Sequence, residues 1–339
     1  MNRNEVILIG HGSGGRLTRE LIDEIFVKKF DNPLLSGLHD ASIIETDSEK
    51  IAFTTDSYVI DPIFFPGGNI GKLAISGTVN DLCVSGSIPK YISCGFIIEE
   101  GLPISDLENI VTSMASEAER AGVFIVAGDT KVVKRGQCDK IFINTSGIGI
   151  IPSDRLHISS GKTIQPGDKI LVSGTLGDHA IAILAARENL TLDEEIQSDT
   201  APLNKLTEAV LVHPSDLRFM RDITRGGLAT ILTEVCENKD FGIDVDEKNI
   251  PIRQSVKSIC ELYGFDPLYL ANEGKMMLIV RQESENIILQ RLKTEKHGVD
   301  ATIIGEITIS HPGKAILKSV IGGRRIIEML SGEMLPRIC

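Results

Sequence analysis

The chain has 339 residues, of which 42% are apolar, and this length suits two domains of ordinary size. Its formal net charge of −12 argues against a nucleic-acid surface, which needs a basic patch, but it leaves room for a cation such as Mg²⁺. No window approaches ~18 uninterrupted apolar residues, so the sequence predicts no membrane span. The apolar run from Val6 to Ile9 is too short for a signal peptide, and we expect a cytoplasmic protein.

The six cysteines, at positions 83, 94, 138, 236, 260 and 339, include no C-x-x-C pair and have no histidine cluster nearby. This pattern disfavours a structural zinc site. We expect reduced thiols in a cytoplasmic protein, with most of the five internal cysteines acting as small buried apolar residues.

The first feature along the chain is a glycine loop, residues 10–15, that follows the short apolar run. A helix is predicted after it, because Leu17, Leu21 and Ile25 recur at four-residue spacing. The loop satisfies G-x-G-x-x-G, but residues 29–33 form a break where a dinucleotide fold needs a second strand ending in an acid. Two other interpretations stay open, a mobile loop whose amides approach phosphate oxygens and a purely structural turn.

From residue 41 the pattern alternates strands with helices. A helix starting near Ser105 is predicted from the capping-box spacing of Ser105 and Glu108, and Gly122 is predicted to end it. A buried strand should follow at 123–127 and end in Gly128-Asp129-Thr130-Lys131. The other predicted elements of this half are strands at 51–55, 91–98 and 141–151 and a helix at 69–86 that contains Asn80 and Asp81.

A polar stretch with proline and glycine, residues 152–168, marks the predicted boundary to a second α/β domain. Two polar loops, residues 221–227 and 271–275, lie between its elements. The predicted strands are 170–172, 241–245, 275–280, 301–309 and 314–320, and the predicted helices are 179–187, 203–212, 227–238, 253–263 and 282–294. The chain therefore divides into a glycine-rich segment (1–40), a first domain (41–152), a second domain (153–330) and a tail (331–339).

Carboxylates stand at the predicted ends of elements, beside small or polar residues. They are Asp40, Asp56, Asp81, Asp129 and Asp222. Any one of them is explained by a cap or an Asx-turn, but five together favour a bound cation, and Mg²⁺ with a triphosphate is the usual solution. The sequence has no P-loop, G-x-S-x-G, H-E-x-x-H or kinase H-R-D motif. Residue chemistry alone thus predicts Mg-nucleotide binding and no particular reaction.

The chain ends in Pro336-Arg337-Ile338-Cys339, so its last side chain is a nucleophilic thiol. Residues 332–339 carry no helix or strand pattern and can reach about 25 Å at roughly 3.3–3.6 Å per residue. That length would let the thiol carry a small group between sites. On the tail alone, an accidental terminal cysteine is the simpler interpretation.

Several stretches together resemble one family, the hydrogenase-maturation carbamoyl dehydratases (HypE) of the PurM-like superfamily. The terminal Pro-Arg-Ile-Cys separates that family from selenophosphate synthetase and thiamine-monophosphate kinase, and the resemblance spans nearly the whole chain. The matching segments are residues 10–16, 54–62, 64–68, 77–81, 128–131, 173–178, 224–228, 271–275 and 335–339.

The resemblance implies a fold and a reaction. The fold would be α/β (α+β), with two PurM-like domains, a first-domain sheet that pairs across a homodimer, ATP near that interface, and a mobile tail. A carbamoyltransferase, HypF, would load Cys339 with a carbamoyl group. ATP-dependent dehydration would turn the thiocarboxamide into a thiocyanate. The cyano group would then pass to iron on a HypC–HypD complex, as a ligand of the [NiFe] centre.

The resemblance also implies site residues. The implied catalytic residues are Cys339 as carrier, Glu273 as base, and Lys131 as a cation near the carbonyl oxygen, with Lys134 competing for that last role. The implied metal ligands are Asp40, Asp56, Asp81 and Asp222, and the implied nucleotide contacts are Gly12, Gly14, Gly15, Asp56, Asn80, Asp81, Asp129 and Thr130. His39 stands where many relatives have aspartate, which leaves the number of metal ions open.

Three alternatives remain at this point. Another PurM-like ATP enzyme would act on a free small substrate and would not need Cys339. A thiol carrier or scaffold would present Cys339 without turning over ATP. A dinucleotide dehydrogenase would bind NADH.

Overall fold

The computed structural model describes residues 15–21, 23, 41–45, 50–190, 196–330, 335, 338 and 339. Within that part of the chain the strands form a five-stranded sheet, a seven-stranded sheet and a small hairpin. The helices are α1 (Arg16–Leu21), α2 (Ile70–Val84), α3 (Ile104–Ala121), α4 (Asp178–Glu188), α5 (Asn204–Val210), α6 (Gly227–Cys236), α7 (Gln254–Tyr263) and α8 (Glu285–Thr294). The strands are β1 (Ser42–Glu45), β2 (Lys50–Tyr58), β3 (Phe64–Phe65), β4 (Gly68–Asn69), β5 (Ile88–Glu99), β6 (Phe124–Val133), β7 (Ile141–Ile151), β8 (Lys169–Val172), β9 (Leu217–Asp222), β10 (Gly242–Asp246), β11 (Met276–Val280), β12 (Thr302–Thr308), β13 (Ala315–Lys318) and β14 (Arg324–Ile327).

The first sheet has the order β1-β2-β7-β5-β6. Only the β5–β6 pair is parallel, and the other pairs are antiparallel. Helix α2 lies against β2 and β7 and packs on α3, so nearly all of its side chains are buried. Small residues permit this close packing, because a Cβ at Gly71 would clash with the main-chain carbonyl of Ile110 on α3.

The second sheet has the order β14-β13-β10-β12-β8-β11-β9 and is covered on both faces. Successive side chains of a strand point to opposite faces of the sheet, and in β8 Ile170 and Val172 belong to one apolar core while Leu171 belongs to another. Helix α6 contributes to the first of these cores, and helices α5 and α8 contribute to the second. A strand between two cores is apolar throughout, as β11 is.

Several predicted elements have the expected positions. Strand β7 has the predicted bounds, and Gly122 ends α3 in the left-handed conformation with φ 69° and ψ 29°. The predicted capping box is wrong, because α3 begins at Ile104 after Pro103 and no side-chain cap bond forms. Strand β2 runs on to Tyr58, so Asp56 lies inside the strand and not at its end.

Strand β6 departs from its prediction. A buried strand was expected at 123–127, but β6 spans Phe124–Val133, lies at the sheet edge and is exposed along almost its whole length. Its apolar side chains indicate a surface that needs covering, and β5 is its only strand neighbour within the described chain. The hydrophobic periodicity of a sequence does not distinguish a side chain that is buried within its own chain from one that is buried against a second chain.

Strand β9 is absent from the sequence prediction, which has Arg221 and Asp222 in a loop. Two arginines made this segment look polar. In the fold, Arg218 pairs with Asp168 at 3.3 Å and Arg221 pairs with Glu234 at 2.6 Å, so the strand is built into the sheet. Strands β1 and β14 and the β3–β4 hairpin were also not predicted.

No helix within the described residues combines the length and the apolarity that a membrane crossing requires.

Candidate active site

A cavity of about 40 Å³ lies where the first domain, the second domain and the chain terminus meet. It brings together five residues that the sequence singled out, although they are spread over the whole chain. Its lining is Asp56, Ser57, Tyr58, Gly77, Asp81, Asp222, Thr224, Arg225, Glu273 and Cys339.

The first-domain wall comes from strand β2 and helix α2. Asp81 and Gly77 are four residues apart on α2, so they share one face of the helix. The Asp81 carboxylate accepts a hydrogen bond from Thr54 Oγ1 at 2.7 Å, which ties α2 to β2. Gly77 leaves room for the Tyr58 hydroxyl, which would clash with a Cβ at that position.

The second-domain wall comes from two loops. Asp222 ends β9, and Thr224 and Arg225 follow it directly, whereas Glu273 stands just before β11. The Glu273 amide donates to Asp199 Oδ1 at 3.0 Å, and the next residue has to be glycine because a Cβ at Gly274 would clash with the Asp199 carbonyl. The main chain around Glu273 is therefore held in one position.

Glu273 is a buried carboxyl, with only 3% of its surface exposed. Burial raises the pKa of Glu273 well above its usual value, the carboxylates of Asp56 and Asp222 raise it further, and Arg225 opposes them. None of the described residues gives its Oε1 a hydrogen-bond partner. An unpartnered buried acceptor costs free energy, so this oxygen is placed to receive a proton from a group that enters the cavity.

The Cys339 thiol faces the same charged groups. Burial raises the pKa of this thiol to about 12, Arg225 lowers it, and Glu273 and Asp56 raise it. In turn, a thiolate at Cys339 is the largest influence that raises the pKa of Arg225 above its ordinary value. Arg225 is the cation of the site, and sequence reasoning missed it although its loop had been noted as polar.

The terminus is docked and not free. The Val59 amide donates to a main-chain oxygen of Cys339 at 3.0 Å, and Ile60 forms an antiparallel bridge with Ile338. Ile338 is 8% exposed and belongs to the core of the first domain. The last two residues thus add a short strand beside residues 59–60, which fixes the thiol at the cavity.

The three aspartates of the cavity suit a hard cation, because Mg²⁺ takes oxygen ligands. Across the described ranges, no three His, Cys, Asp or Glu residues are grouped so that they could hold a metal ion. Asp56, Asp81 and Asp222 thus offer the ligand type that Mg²⁺ takes but do not form a complete site by themselves, and a bound ion would need further oxygens, such as those of a phosphate. Asp40 and His39 lie outside the described residues.

Asp129, Thr130 and Lys131 lie on β6, away from the cavity. Lys131 Nζ is 2.8 Å from the Asp129 carboxylate, and both side chains are exposed. The sheet register aligns Asp56 with Gly128 three strands away, a separation of about 14 Å at ~4.8 Å per strand. Within one chain the structure does not bring Lys131, or Lys134 just beyond β6, to Cys339.

Asn80 and Gly15 make contacts between segments of the fold. Asn80 Nδ2 donates to the carbonyls of Ala201 at 3.1 Å and Glu273 at 3.2 Å, and its Oδ1 accepts from the Leu203 amide at 2.8 Å. Gly15 directly precedes α1, and a Cβ there would clash with the Leu330 carbonyl. Both have a packing explanation, whereas Gly12 and Gly14 lie outside the described residues.

Comparison with known proteins identifies the family. The AIR synthase related N-terminal domain matches residues 38–151, and the AIR synthase related C-terminal domain matches residues 165–318. The carbamoyl dehydratase HypE of Escherichia coli (strain K12) is 46% identical over 338 residues, which covers 98% of this chain and 99% of the relative. The chain belongs to the HypE family.

Solved HypE structures agree with this assignment. A crystal structure of the hydrogenase maturation protein HypE in complex with ATP is 46% identical, has a TM-score of 0.81 and covers 98% of this chain and 100% of its own. A HypE–HypF complex is 45% identical with a TM-score of 0.86 and covers 91% and 99%. The resemblance predicted from the motifs is confirmed, and so is the fold class, a mixed α/β protein with two PurM-like domains.

Proposed function

We propose that this HypE-family chain is an ATP-dependent carbamoyl dehydratase that acts on its own C-terminus and converts an S-carbamoyl group on Cys339 into an S-cyano group. The proposal rests mainly on one observation. The terminal thiol lines a small cavity together with a buried carboxyl, Glu273, whose Oε1 lacks a hydrogen-bond partner among the described residues.

The size of the cavity fits the reacting group. At roughly 10–15 Å³ for each water-sized atom, a cavity of about 40 Å³ has room for about three non-hydrogen atoms. A carbamoyl group on sulfur adds one carbon, one oxygen and one nitrogen. A nucleotide is far larger than this cavity, so only the reacting group would fit within it.

The reaction balances as two steps. In the first, the carbamoyl oxygen attacks the γ-phosphorus of ATP, the oxygen–phosphorus bond forms, the bond between the γ-phosphorus and ADP breaks, and one of the two N–H protons is lost. In the second, the carbon–oxygen bond breaks, inorganic phosphate leaves, and loss of the remaining N–H proton completes the nitrile. The phosphorylated oxygen is a good leaving group, whereas an amide oxygen is not.

Glu273 is the proposed base for the N–H proton. Its raised pKa brings its proton affinity closer to that of a working base near neutral pH. Arg225, beside the thiol, would stabilise negative charge that develops on the carbamoyl oxygen. Lys131 keeps its proposed role at that oxygen only if it comes from the β6 strand of a partner subunit.

The same donors define the proposed nucleotide and metal site. Asp56, Asp81 and Asp222 would hold Mg²⁺, with Asp40 as a further proposed ligand. The ion would neutralise phosphate charge when bound. The proposed nucleotide contacts are Gly12, Gly14, Gly15, Asp56, Asn80, Asp81, Asp129 and Thr130.

We further propose a homodimer that pairs through β6, which is apolar and exposed in the single chain. HypF would load Cys339, and one relative has been solved as a HypE–HypF complex. A HypC–HypD complex would accept the cyano group on iron, in the cytoplasm, for the [NiFe] centre. The tail would leave its docked position to meet both partners.

Mass spectrometry of the tail tests the proposal. A protease that cleaves after glutamate releases residues 334–339, so the carbamoylated peptide can be weighed before and after Mg-ATP is added. We expect the loss of one water from the peptide with release of ADP and phosphate. The Cys339→Ala variant should bind ATP, keep its fold and form no cyanated product. A carbamoylated peptide that keeps its mass contradicts the proposal, and ATP turnover with a free substrate in Cys339→Ala would favour a different PurM-like enzyme.

A further inference from the structure

His179 is a buried residue with no part in the chemistry above. It is the second residue of α4 and has no exposed surface. Its Nε2 lies 2.5 Å from the main-chain carbonyl oxygen of Ile338, one residue before the carrier thiol, and its Nδ1 lies 2.7 Å from Ser198 Oγ.

The partners fix the direction of each hydrogen bond. A carbonyl oxygen only accepts, so Nε2–H donates to Ile338 and Nδ1 accepts the Ser198 hydroxyl proton. Ser198 Oγ in turn accepts from the Thr200 amide at 3.1 Å and lies 2.6 Å from the Thr200 hydroxyl. Burial lowers the pKa of His179, which keeps the ring in the neutral form that this chain of bonds requires.

The ring and its partner are held from other sides. The Phe65 ring meets the imidazole edge-on, with 5.8 Å between the ring centroids. The Ser198 amide donates to the Pro66 carbonyl at 2.8 Å. Gly67, with φ at +93°, lies so close that a Cβ there would be 2.7 Å from the Ser198 carbonyl oxygen. The donor to Ile338 is thus preorganised by three separate segments of the chain.

We propose that His179 is a positioning residue and that His179, Ser198 and Thr200 form a receptor for the main-chain carbonyl of Ile338, which holds the tail so that Cys339 lies at the cavity. The hydrogen bond from the Val59 amide to the main-chain oxygen of Cys339 is the second contact that holds the tail. Both bonds are to main-chain oxygens, so the receptor holds the tail alike whether the sulfur carries hydrogen, a carbamoyl group or a cyano group. The docking of the tail does not depend on the proposed function, but the effect of docking on dehydration rests on that function.

Alkylation of the thiol measures docking without any reaction chemistry. The docked thiol is partly buried and its pKa is raised, so iodoacetamide should modify Cys339 faster when the tail leaves its receptor. His179→Leu removes the donor to Ile338, and we expect the alkylation rate of the 334–339 peptide to rise about tenfold. His179→Gln retains a donor near the Nε2 position and should restore most of the protection. Ser198→Ala disturbs the receptor without altering the imidazole, and we expect a rise of about threefold.

His157→Leu is a matched control. His157 Nε2 also contacts main-chain carbonyls, those of Pro214 at 3.2 Å and Leu217 at 2.9 Å, but it has no hydrogen bond to the tail residues that the structure describes. This control should leave the alkylation rate unchanged. A folded His179→Leu protein together with a Ser198→Ala protein, both alkylated at the wild-type rate, overturns the receptor.

Single-turnover dehydration of the carbamoylated protein separates this inference from the proposed function. We expect His179→Leu to lower the rate constant about tenfold with an unchanged KM for ATP, and His179→Gln to recover it. If the wild type forms no thiocyanate, the proposed function fails while the alkylation result still decides the receptor. If the wild type reacts and His179→Leu reacts equally fast, the positioning role is wrong.

Discussion

Glu273 has surroundings unlike those of a glutamate on a protein surface, because only 3% of its surface is exposed. Its position in a polar loop before β11 could be predicted from the sequence, and the HypE resemblance suggested its role. Its burial could not, because that depends on Asp199, on the close approach at Gly274 and on contact with the first domain. The same holds for Arg225, whose importance arises from a thiol more than a hundred residues away in sequence.

Replacing Glu273 with glutamine removes the proposed base but keeps the shape of the side chain. We expect Glu273→Gln to bind ATP and to dock its tail like the wild type while dehydration slows about 10²–10⁴-fold. In the wild type the rate should rise with pH through the raised pKa of Glu273, because only the ionised carboxylate accepts a proton. Single-turnover rates across pH check both points. A variant that retains the wild-type rate and the wild-type pH profile shows that another group is the base.

The raised pKa of Glu273 also links stability to pH. The folded state holds this proton to a higher pH than the unfolded chain does. The stability that the neutral carboxyl contributes is therefore fully present below the unfolded pKa and is lost as pH rises through the folded pKa. As the pH rises from the unfolded pKa through the folded pKa of Glu273, the wild type should lose free energy of unfolding relative to Glu273→Gln. Urea unfolding of both proteins measures this, and a constant difference between them contradicts it.

At the scale of elements, the hydrophobic pattern predicted most helices and strands, but it predicted burial for β6, which is exposed, and it missed β9. Strand β6 has an apolar sequence and an exposed position, with Val126 60% exposed and Phe124 69% exposed. Strand β9 has a partly polar sequence and a buried position, because ion pairs allow two arginines in a buried sheet. Both cases depend on partners distant in sequence, which a local pattern does not contain.

A charge on β6 should break the proposed homodimer. Val126→Glu places a carboxylate on the exposed apolar strand, and desolvating it in an interface is unfavourable, so the variant should sediment as a monomer. Ile321→Glu is the control, because Ile321 is 92% exposed in the turn between β13 and β14, away from the first sheet. This control should keep the wild-type mass. A wild type that is monomeric at all concentrations, or a Val126→Glu protein that stays dimeric, contradicts the pairing.

At the scale of the whole molecule, the site exists only because two domains and the terminus meet. The motifs on each domain could be predicted separately, and the HypE resemblance placed them in one active site. Their physical junction could not be predicted from the pattern. Asn80 on α2 bonds to the carbonyl of Glu273, 193 residues later, and the tail returns to the first domain at Ile60. Lys131 is a residue that the motif places in the active site but the fold of one chain does not. Its motif matches the family, while its position in one chain is remote from Cys339.

Asn80→Ala tests the junction between the domains. The change leaves the Leu203 amide and the Glu273 carbonyl without their side-chain partner, and we expect a loss of about 1–3 kcal/mol in the free energy of unfolding. Dehydration should also slow, because the Glu273 main chain loses a support. Asn204→Ala is the matched control, since Asn204 makes a single 3.3 Å bond to Ala121 across the domains. Equal losses of stability and rate in the two variants would show that Asn80 has no special link to Glu273.

In the proposed reaction, the oxygen of the carbamoyl group on Cys339 ends up in the inorganic phosphate that is formed from the γ-phosphate of ATP. The most direct test loads Cys339 with a carbamoyl group labelled with oxygen-18, adds Mg-ATP and analyses the inorganic phosphate by mass spectrometry. We expect each thiocyanate formed to be matched by one labelled phosphate. Thiocyanate formed with unlabelled phosphate, and with the label in water, would contradict it.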